Sequence, residues 1–416
     1  LGYDTGPNLR TKAFTGFCMS SGPRTLRSGS AKLTVEWVRS EANIAPEVWA
    51  RCFPVEVEGR WWYRALELSG VEDQFQFFYA VVHADKPVAI APCFVMDIPL
   101  SILVPEEFAS FFTVAGSVIP AFKYQRTFSI GSPCADEGTV GIDPAYVLAD
   151  VANVIQKAVE QKARSLKAST VAWKDFPAET WPALRAISSK NGMFEVISMP
   201  GAVVEFSKES GATTYYKDLK ASRRQKIMKK LRSSKAEVDV DVEVMQHPNQ
   251  GVRDEIFKLF WQTYEKGKMK FERLTPAFFT HIAEAEEAYF ILLREKKSND
   301  LVAFMLCFKV GHRIINKFIG LDYNRPSTWF LYFRLWDEAI NWCIEQKAVD
   351  LQSGQTSYSA KIELGHKLVP LSNFCKHSNP VINAIYQHVA KSISWETLDD
   401  DLKLYLKKYP SESGPH

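Results

Sequence analysis

Four groups of residues have the types and spacing to do chemistry. Tyr358 and Lys361 stand three apart. If their segment is helical they share a face, so a phenol and an ammonium could meet one carboxylate or phosphate of a ligand. Asp322 follows an apolar strand-like run, Ile314 to Leu321, and would sit at the strand's carboxyl edge, where α/β clefts lie. Asp350 and Gln352 end the next strand, and if the two strands are neighbours these side chains line the same cleft. Between Lys217 and Lys235 nine basic residues stand against one acid, Asp218. Arg223, Arg224 and Lys226 in that run could hold phosphates.

Each group has a plain structural alternative. Asp322 precedes Asn324 and Pro326 and could simply form a turn. Asp350 and Gln352 could cap a strand end, and Lys361 could be a solvated surface lysine. The basic run could be a solvated helix face, with Tyr216, Leu219, Ile227 and Leu231 turned inward. His366 and His377 lie nearby, but neither has a second ligand at metal spacing, so no metal is expected. Trp261, Tyr264, Trp329, Tyr332, Trp336 and Trp342 read as core rather than as a stacking platform for bases.

Bulk composition narrows the class. With 416 residues the chain favours two domains, and 46% hydrophobic with 24% charged residues describes a globular protein. The net charge of +3 gives no global case for DNA or a membrane surface. Seven scattered cysteines without a C-x-x-C pair read as reduced thiols, which fits a cytoplasmic setting. The apolar stretch Ile98 to Phe122 is broken by Glu106, Glu107, Pro99, Pro105 and Pro120, so stable membrane insertion is not expected. It reads as a buried connection or an apolar lid. Residues 1–30, rich in Gly, Ser and Thr, are expected to be a flexible tail.

The elements that must position these residues repeat. In the first half, helices at Pro46–Phe53 and Arg60–Ser69 precede a hairpin, Gln76–Val82 and Val88–Phe94. A strand at Arg126–Ile130, a helix over 144–166 and a strand at Ala168–Trp173 follow. A helix at Trp181–Lys190 and strand-like residues from Phe194 to Phe206 close that half. The second half has a basic helix, Tyr215–Ser234, and a strictly alternating strand, Val238–Val244. Helices at Asn249–Lys266 and Thr275–Glu284 come next, with Thr275 as N-cap before Pro276. A hairpin (Tyr289–Arg294 and Leu301–Phe308), the strand Ile314–Leu321, a helix over Trp329–Gln346 and a strand at Ala348–Leu351 complete it. The shared order predicts an α/β protein of two tandem modules, each a mixed sheet flanked by helices, over 31–210 and 211–416.

Two segments resemble the GNAT superfamily, in the duplicated branch that holds Fem-type peptidyltransferases and related bacterial acetyltransferase-like proteins. Tyr215–Arg232 is similar to the basic helix that opens the second module there. Gly354-Gln-Thr-Ser-Tyr358-Ser-Ala-Lys361-Ile-Glu-Leu-Gly365, followed by Val369-Pro370, resembles its C-terminal loop. The resemblance implies two GNAT-like modules and acyl transfer to a small-molecule amine, by direct attack without a covalent enzyme intermediate. The sequence agrees in lacking a G-x-S-x-G elbow and any recognised Cys/His pair.

On that reading Asp322 accepts a proton or binds the amine, Asp350 and Gln352 orient the acceptor, and Tyr358 and Lys361 are catalytic. One departure bears on the donor. The turn Asp322–Thr328 holds no glycine, whereas the superfamily cradles the pyrophosphate of coenzyme A in a Gly-rich loop. Ser327 or Thr328 is expected to cap the next helix and offer its N-terminus to an anion. The donor is therefore expected to be an acyl-CoA, an acyl-carrier protein or an aminoacyl-tRNA. A non-catalytic binding protein on the same fold is the remaining alternative.

Overall fold

The computed structural model describes residues 32–99, 124–206, 212–267 and 273–409. The tail over 1–30 and nearly all of Ile98–Phe122 lie outside these residues. In the first half the chain forms β1 (Thr34–Val38), α1 (Pro46–Cys52), α2 (Arg60–Glu67), β2 (Gln76–His83), β3 (Pro87–Pro99), β4 (Tyr124–Ile130) and β5 (Gly141–Ile142). Then come α3 (Leu148–Ser165), β6 (Thr170–Pro177), α4 (Trp181–Asn191), β7 (Phe194–Ile197) and β8 (Gly201–Glu205).

The second half begins with α5 (Ala212–Asp218), α6 (Ala221–Glu237), β9 (Val240–Met245), α7 (Gln250–Lys266) and α8 (Pro276–Ile282). It continues with β10 (Ala288–Glu295), β11 (Leu301–Val310), β12 (Arg313–Leu321), α9 (Leu331–Glu345), β13 (Asp350–Ser353), α10 (Tyr358–Glu363), β14 (Lys367–Val369) and β15 (Leu371–His377). Three helices end it: α11 (Pro380–Ala390), α12 (Trp395–Leu398) and α13 (Asp400–Lys408).

Local chemistry explains many boundaries. Thr275 does cap α8, its hydroxyl accepting from Phe278 N, and Asn249 caps α7 through Val252 N. Gly192 ends α4 in the left-handed region at φ 68°, which its missing Cβ permits. The basic run expected as one helix is two, because the chain breaks at Leu219–Lys220 between α5 and α6. Two hydroxyl bonds tie α5 to its own neighbours: Tyr215 donates to Leu364 O at 2.6 Å and Tyr216 to Asp337 at 2.8 Å.

Among the described residues the strands form two mixed sheets. The first is eight-stranded with path β1-β2-β3-β4-β6-β15-β7, and β5 joins it through β3; the second is seven-stranded with path β14-β8-β13-β12-β11-β10-β9. Read from the β1 and β9 edges, the orders match strand for strand. Each contains one parallel pair, β4 with β6 and β12 with β13. The strand-like residues Phe194–Phe206 do not all close the first half. β8 crosses to lie between β13 and β14, and β15 returns to lie between β6 and β7. The two halves of the chain therefore exchange one strand each.

Among the described residues three large cores pack against the sheets, and a smaller fourth gathers Tyr358, Ile362, Trp395, Leu402 and Leu406. α3 and α4 cover one face of the first sheet, and α6 and α9 cover one face of the second. The remaining faces share a core with α1, α2, α7 and α8, containing Tyr79, Phe94, Phe278, Phe304 and Ile315. β11 is apolar almost throughout because both of its faces are covered. β9, an edge strand, leaves Val242 and Val244 exposed despite its alternation. No described helix is long and apolar enough to cross a membrane.

Candidate active site

The parallel pairing of β12 with β13 stops at Asn316 and Ser353. Beyond it β12 runs on to Leu321, while the other chain turns at Gly354 toward α10. Gly354 lies close against the Asp136 carboxylate, since a methyl there would stand 3.0 Å from its oxygen and push that side chain aside. α10 is seated by Tyr358, which is fully buried beside Trp395, Leu402 and Leu406 and donates to Pro200 O at 2.8 Å. Burial pushes that phenol's pKa up.

Three residues on, Lys361 is 4% exposed and its ammonium donates to Gly354 O. Burial pulls its pKa down to about 8, and the Asp136 charge partly opposes that. His366 is tied to the same helix by Nδ1 to Lys361 O at 2.9 Å. Burial, reinforced by the nearby Lys361 charge, holds His366 neutral with a pKa of about 3.

A charged network adjoins this centre and joins the two halves. β12 carries one extra residue against β11, because Leu306 pairs with Phe318 and Cys307 with Asn316, leaving Lys317 in a bulge. Such a bulge re-aims a side chain. The Lys317 ammonium pairs with Glu58, stands 3.7 Å from Asp136, and lies 4.9 Å from the centre of the Trp62 ring. Burial alone would lower its pKa, but Asp136 and Glu58 hold it above the ordinary value.

One turn of strand away, Arg313 binds Asp350 at 3.1 Å, Gln352 at 2.5 Å and Glu137 at 3.3 Å. Burial lifts Glu137 to about 7 although Arg313 opposes it. Asp136 and Glu137 come from the loop after β4 and Glu58 from the approach to α2, so the network is built from both modules.

On the helix-covered side of the same strand end, two buried polar atoms have no hydrogen-bond partner among the described residues: the donor Asn316 Nδ2, and His366 Nε2, the acceptor nitrogen of a neutral ring whose Nδ1 donates to Lys361 O. Asn316 alternates with Ile314, a member of the core under α9. The Trp336 ring, also from α9, meets His366 edge-on at 4.8 Å.

The sequence candidates separate into distinct places. Lys361 lies at the centre, buried rather than solvated. Asp350 and Gln352 lie beside it in chain order and are both engaged by Arg313, so they brace the network. Tyr358 does not converge with Lys361 on one ligand, because its hydroxyl is spent on Pro200 O. Asp322 is the turn former: it accepts from Asn324 N at 3.1 Å and pairs with Arg325 at 2.9 Å.

Neither Ser327 nor Thr328 caps the helix after it. They belong to a short 3₁₀ turn, and Phe330, at φ 44°, takes the cap position of α9 without a side-chain bond. Arg223 lies 6.0 Å over the Tyr409 ring, Lys226 is exposed, and Arg224 faces a cavity between α6 and α9.

Sequence reasoning missed Glu58, Asp136, Glu137, Arg313, Lys317 and Asn316. Lys317 had a signal, a lone cation inside the apolar run Ile314–Leu321. Asp136-Glu137, two acids in the Gly/Ser/Pro-rich loop Gly131–Gly138, had a weaker one.

Two mixed sheets of matching order, each with a parallel pair and each flanked by helices, define tandem GNAT-like modules. Similar solved structures carry this fold. FemX matches with a TM-score of 0.51 at 10% identity, over 78% of this chain and 93% of that one. The C-terminal domain of a putative lysylphosphatidylglycerol synthetase from Agrobacterium fabrum matches with a TM-score of 0.51 at 11% identity, over 84% and 96%. A conserved protein of unknown function from Bacteroides thetaiotaomicron gives 0.51 at 12%, over 82% and 99%. No curated protein matches the chain in sequence. A family model does, over residues 140–399, more than half of the chain. The protein belongs to the FemAB-like family, described as peptidoglycan biosynthesis/recognition.

Proposed function

We propose that the chain forms an amide by moving an acyl or aminoacyl group from an activated ester or thioester to an amine. The observation that carries this reading is the buried Lys361 ammonium at the end of β13, on the rim of a network that includes Asp136. In the proposed step the neutral amine attacks the donor carbonyl carbon and a C–N bond forms. The carbonyl oxygen becomes an oxyanion facing the Lys361 ammonium, a donor that is already desolvated and oriented. Asp136 takes the proton released by the amine. Collapse of the intermediate breaks the C–O or C–S bond, and the leaving oxygen or sulfur takes up the proton held by Asp136, which restores the carboxylate. No covalent enzyme intermediate is needed.

Membership of the FemAB-like family supports an aminoacyl donor, on tRNA, over an acyl-CoA or acyl-carrier protein. Its description supports an amine on a cell-wall peptide precursor as acceptor.

The test is a panel of aminoacyl-tRNA, acyl-CoA and acyl-carrier donors offered with amine-bearing cell-wall peptides, the amide being read by mass spectrometry. Lys361→Met should lower kcat by about 10²–10³-fold while the protein stays folded. An amide yield unchanged in that variant removes Lys361 from the reaction, and no product from any donor overturns the reading.

A further inference from the structure

Away from Lys361, a cavity of about 800 Å³ opens between α5, α6 and α9. Four cations line it, Lys217 from α5 and Arg224, Arg232 and Lys235 from α6. The three on α6 are spaced by eight and three residues, which puts them along one face of the helix. None of the four forms an ion pair among the described residues. Elsewhere in the same half Lys230, Arg294, Arg313 and Arg325 each hold a carboxylate.

The acid that lines the cavity and its neighbour on α9 are already engaged. Asp337 accepts from Tyr216 and Glu338 is paired with Arg334 at 2.9 Å. Met228 and Leu231 add apolar surface between the cations. A concave site of this size, with unpaired cations beside an apolar patch, suits a phosphorylated nucleotide.

The N-terminus of α9, where the sequence led us to expect an anion, has no capping side chain. The cavity instead reaches Asp337 and Asn341, well inside that helix. It is also tied to the proposed centre. Tyr215 on α5 bonds Leu364 O, and Lys230 on α6 binds Glu363 at 2.8 Å, the residues that follow Lys361 in and after α10.

We propose that this cavity binds the phosphates of a ribonucleotide-bearing donor carrier, with the base or ribose against Met228 and Leu231. The proposal rests on the transfer reading above and gives the donor its anchor. The shared chemistry is a ribonucleotide carrying two or more phosphates, from a free nucleotide carrier or from the end of an RNA.

The test measures binding of two probes to the full chain, adenosine 3′,5′-bisphosphate and a short RNA hairpin with a single-stranded 3′ end. Arg232→Ala/Lys235→Ala should weaken binding at least tenfold and flatten the salt dependence for the RNA by about 1.4 in slope. Lys229→Ala/Lys258→Ala removes the same charge from α6 and α7 outside the cavity and should change affinity less than threefold. Tight binding of the bisphosphate alone assigns the site to a small carrier. RNA binding that the bisphosphate displaces assigns it to an RNA end.

Equal losses in the two double variants, or no binding of either probe, overturn the proposal. Amide formation separates the two readings. Unchanged probe binding and donor KM in the Arg232/Lys235 variant, with Lys361→Met inactive, removes the cavity and leaves the transfer standing. Probe binding lost in that variant, with Lys361→Met fully active, does the reverse.

Discussion

The two modules share strand order, but the matching ends of their parallel pairs are filled differently. In the first sheet that pairing closes on Ile130 and Trp173. Both are fully buried under α3, and the Trp173 indole donates to Gln156 at 2.7 Å. In the second sheet the same positions hold Asn316 and Ser353, and the Asn316 amide has no hydrogen-bond partner among the described residues. The neighbouring pairing differs too. β3 and β4 run in unbroken register, whereas the β12 bulge turns Lys317 toward Glu58 and Asp136. One module has closed its strand end with an apolar plug and a satisfied indole. The other keeps polar groups there at a cost in stability, which is the pattern of a site kept for a ligand.

This contrast can be broken at its strongest point first. Trp173→Ala should cost about 3–5 kcal/mol in denaturant unfolding, because it empties a packed plug. A loss under 1 kcal/mol would mean that the first module is not closed there. Exchanging the residues sharpens the point. Ile130→Asn should destabilise by about 3 kcal/mol through an unpaired buried amide. Asn316→Leu should leave stability within about 1 kcal/mol of the parent, or raise it, while lowering amide formation. Equal destabilisation by both exchanges would dissolve the comparison.

A smaller effect is set by pH. Folding holds Glu137 at about 7 against an ordinary 4.5. The folded state therefore binds this proton more tightly, and the stability it lends is complete below about pH 4 and lost as pH rises through 7. Glu137→Gln, which stays neutral, should remove about 2 kcal/mol of the decline between pH 5 and pH 8 in thermal melts. An unchanged pH slope would show that Arg313 keeps Glu137 ionised. The finest test uses Lys361, placed at about 8. If its ammonium faces the oxyanion, kcat/KM falls tenfold per pH unit above about 8, and Lys361→Arg moves that limb beyond the accessible range. An alkaline limb that ignores the substitution assigns the proton elsewhere.

Much of this architecture was written in local pattern. Period-2 runs, two short hairpin turns and caps such as Thr275 locate most strands and helices, and the repeated order shows the duplication. Lys361 stands out through a resemblance, the tyrosine three residues before it and the glycine four after it matching the family's C-terminal loop. Such signals act within a turn or two of chain, so the sequence alone determined most element types and their order as far as β13, while the stretch after it, where α10 forms, reads only as a polar loop.

What the tertiary structure decided was partnership. The exchange of β8 and β15 between sheets depends on contacts more than a hundred residues apart, and no local propensity encodes it. Asp136 meets Lys317 and neighbours Lys361 only because the modules pack there. The same packing sends the Tyr358 hydroxyl to Pro200 and leaves Asp322 with Arg325. Burial finished the selection. Lys361 looks like any surface lysine in the chain, and it becomes a tuned cation only where folding removes its water.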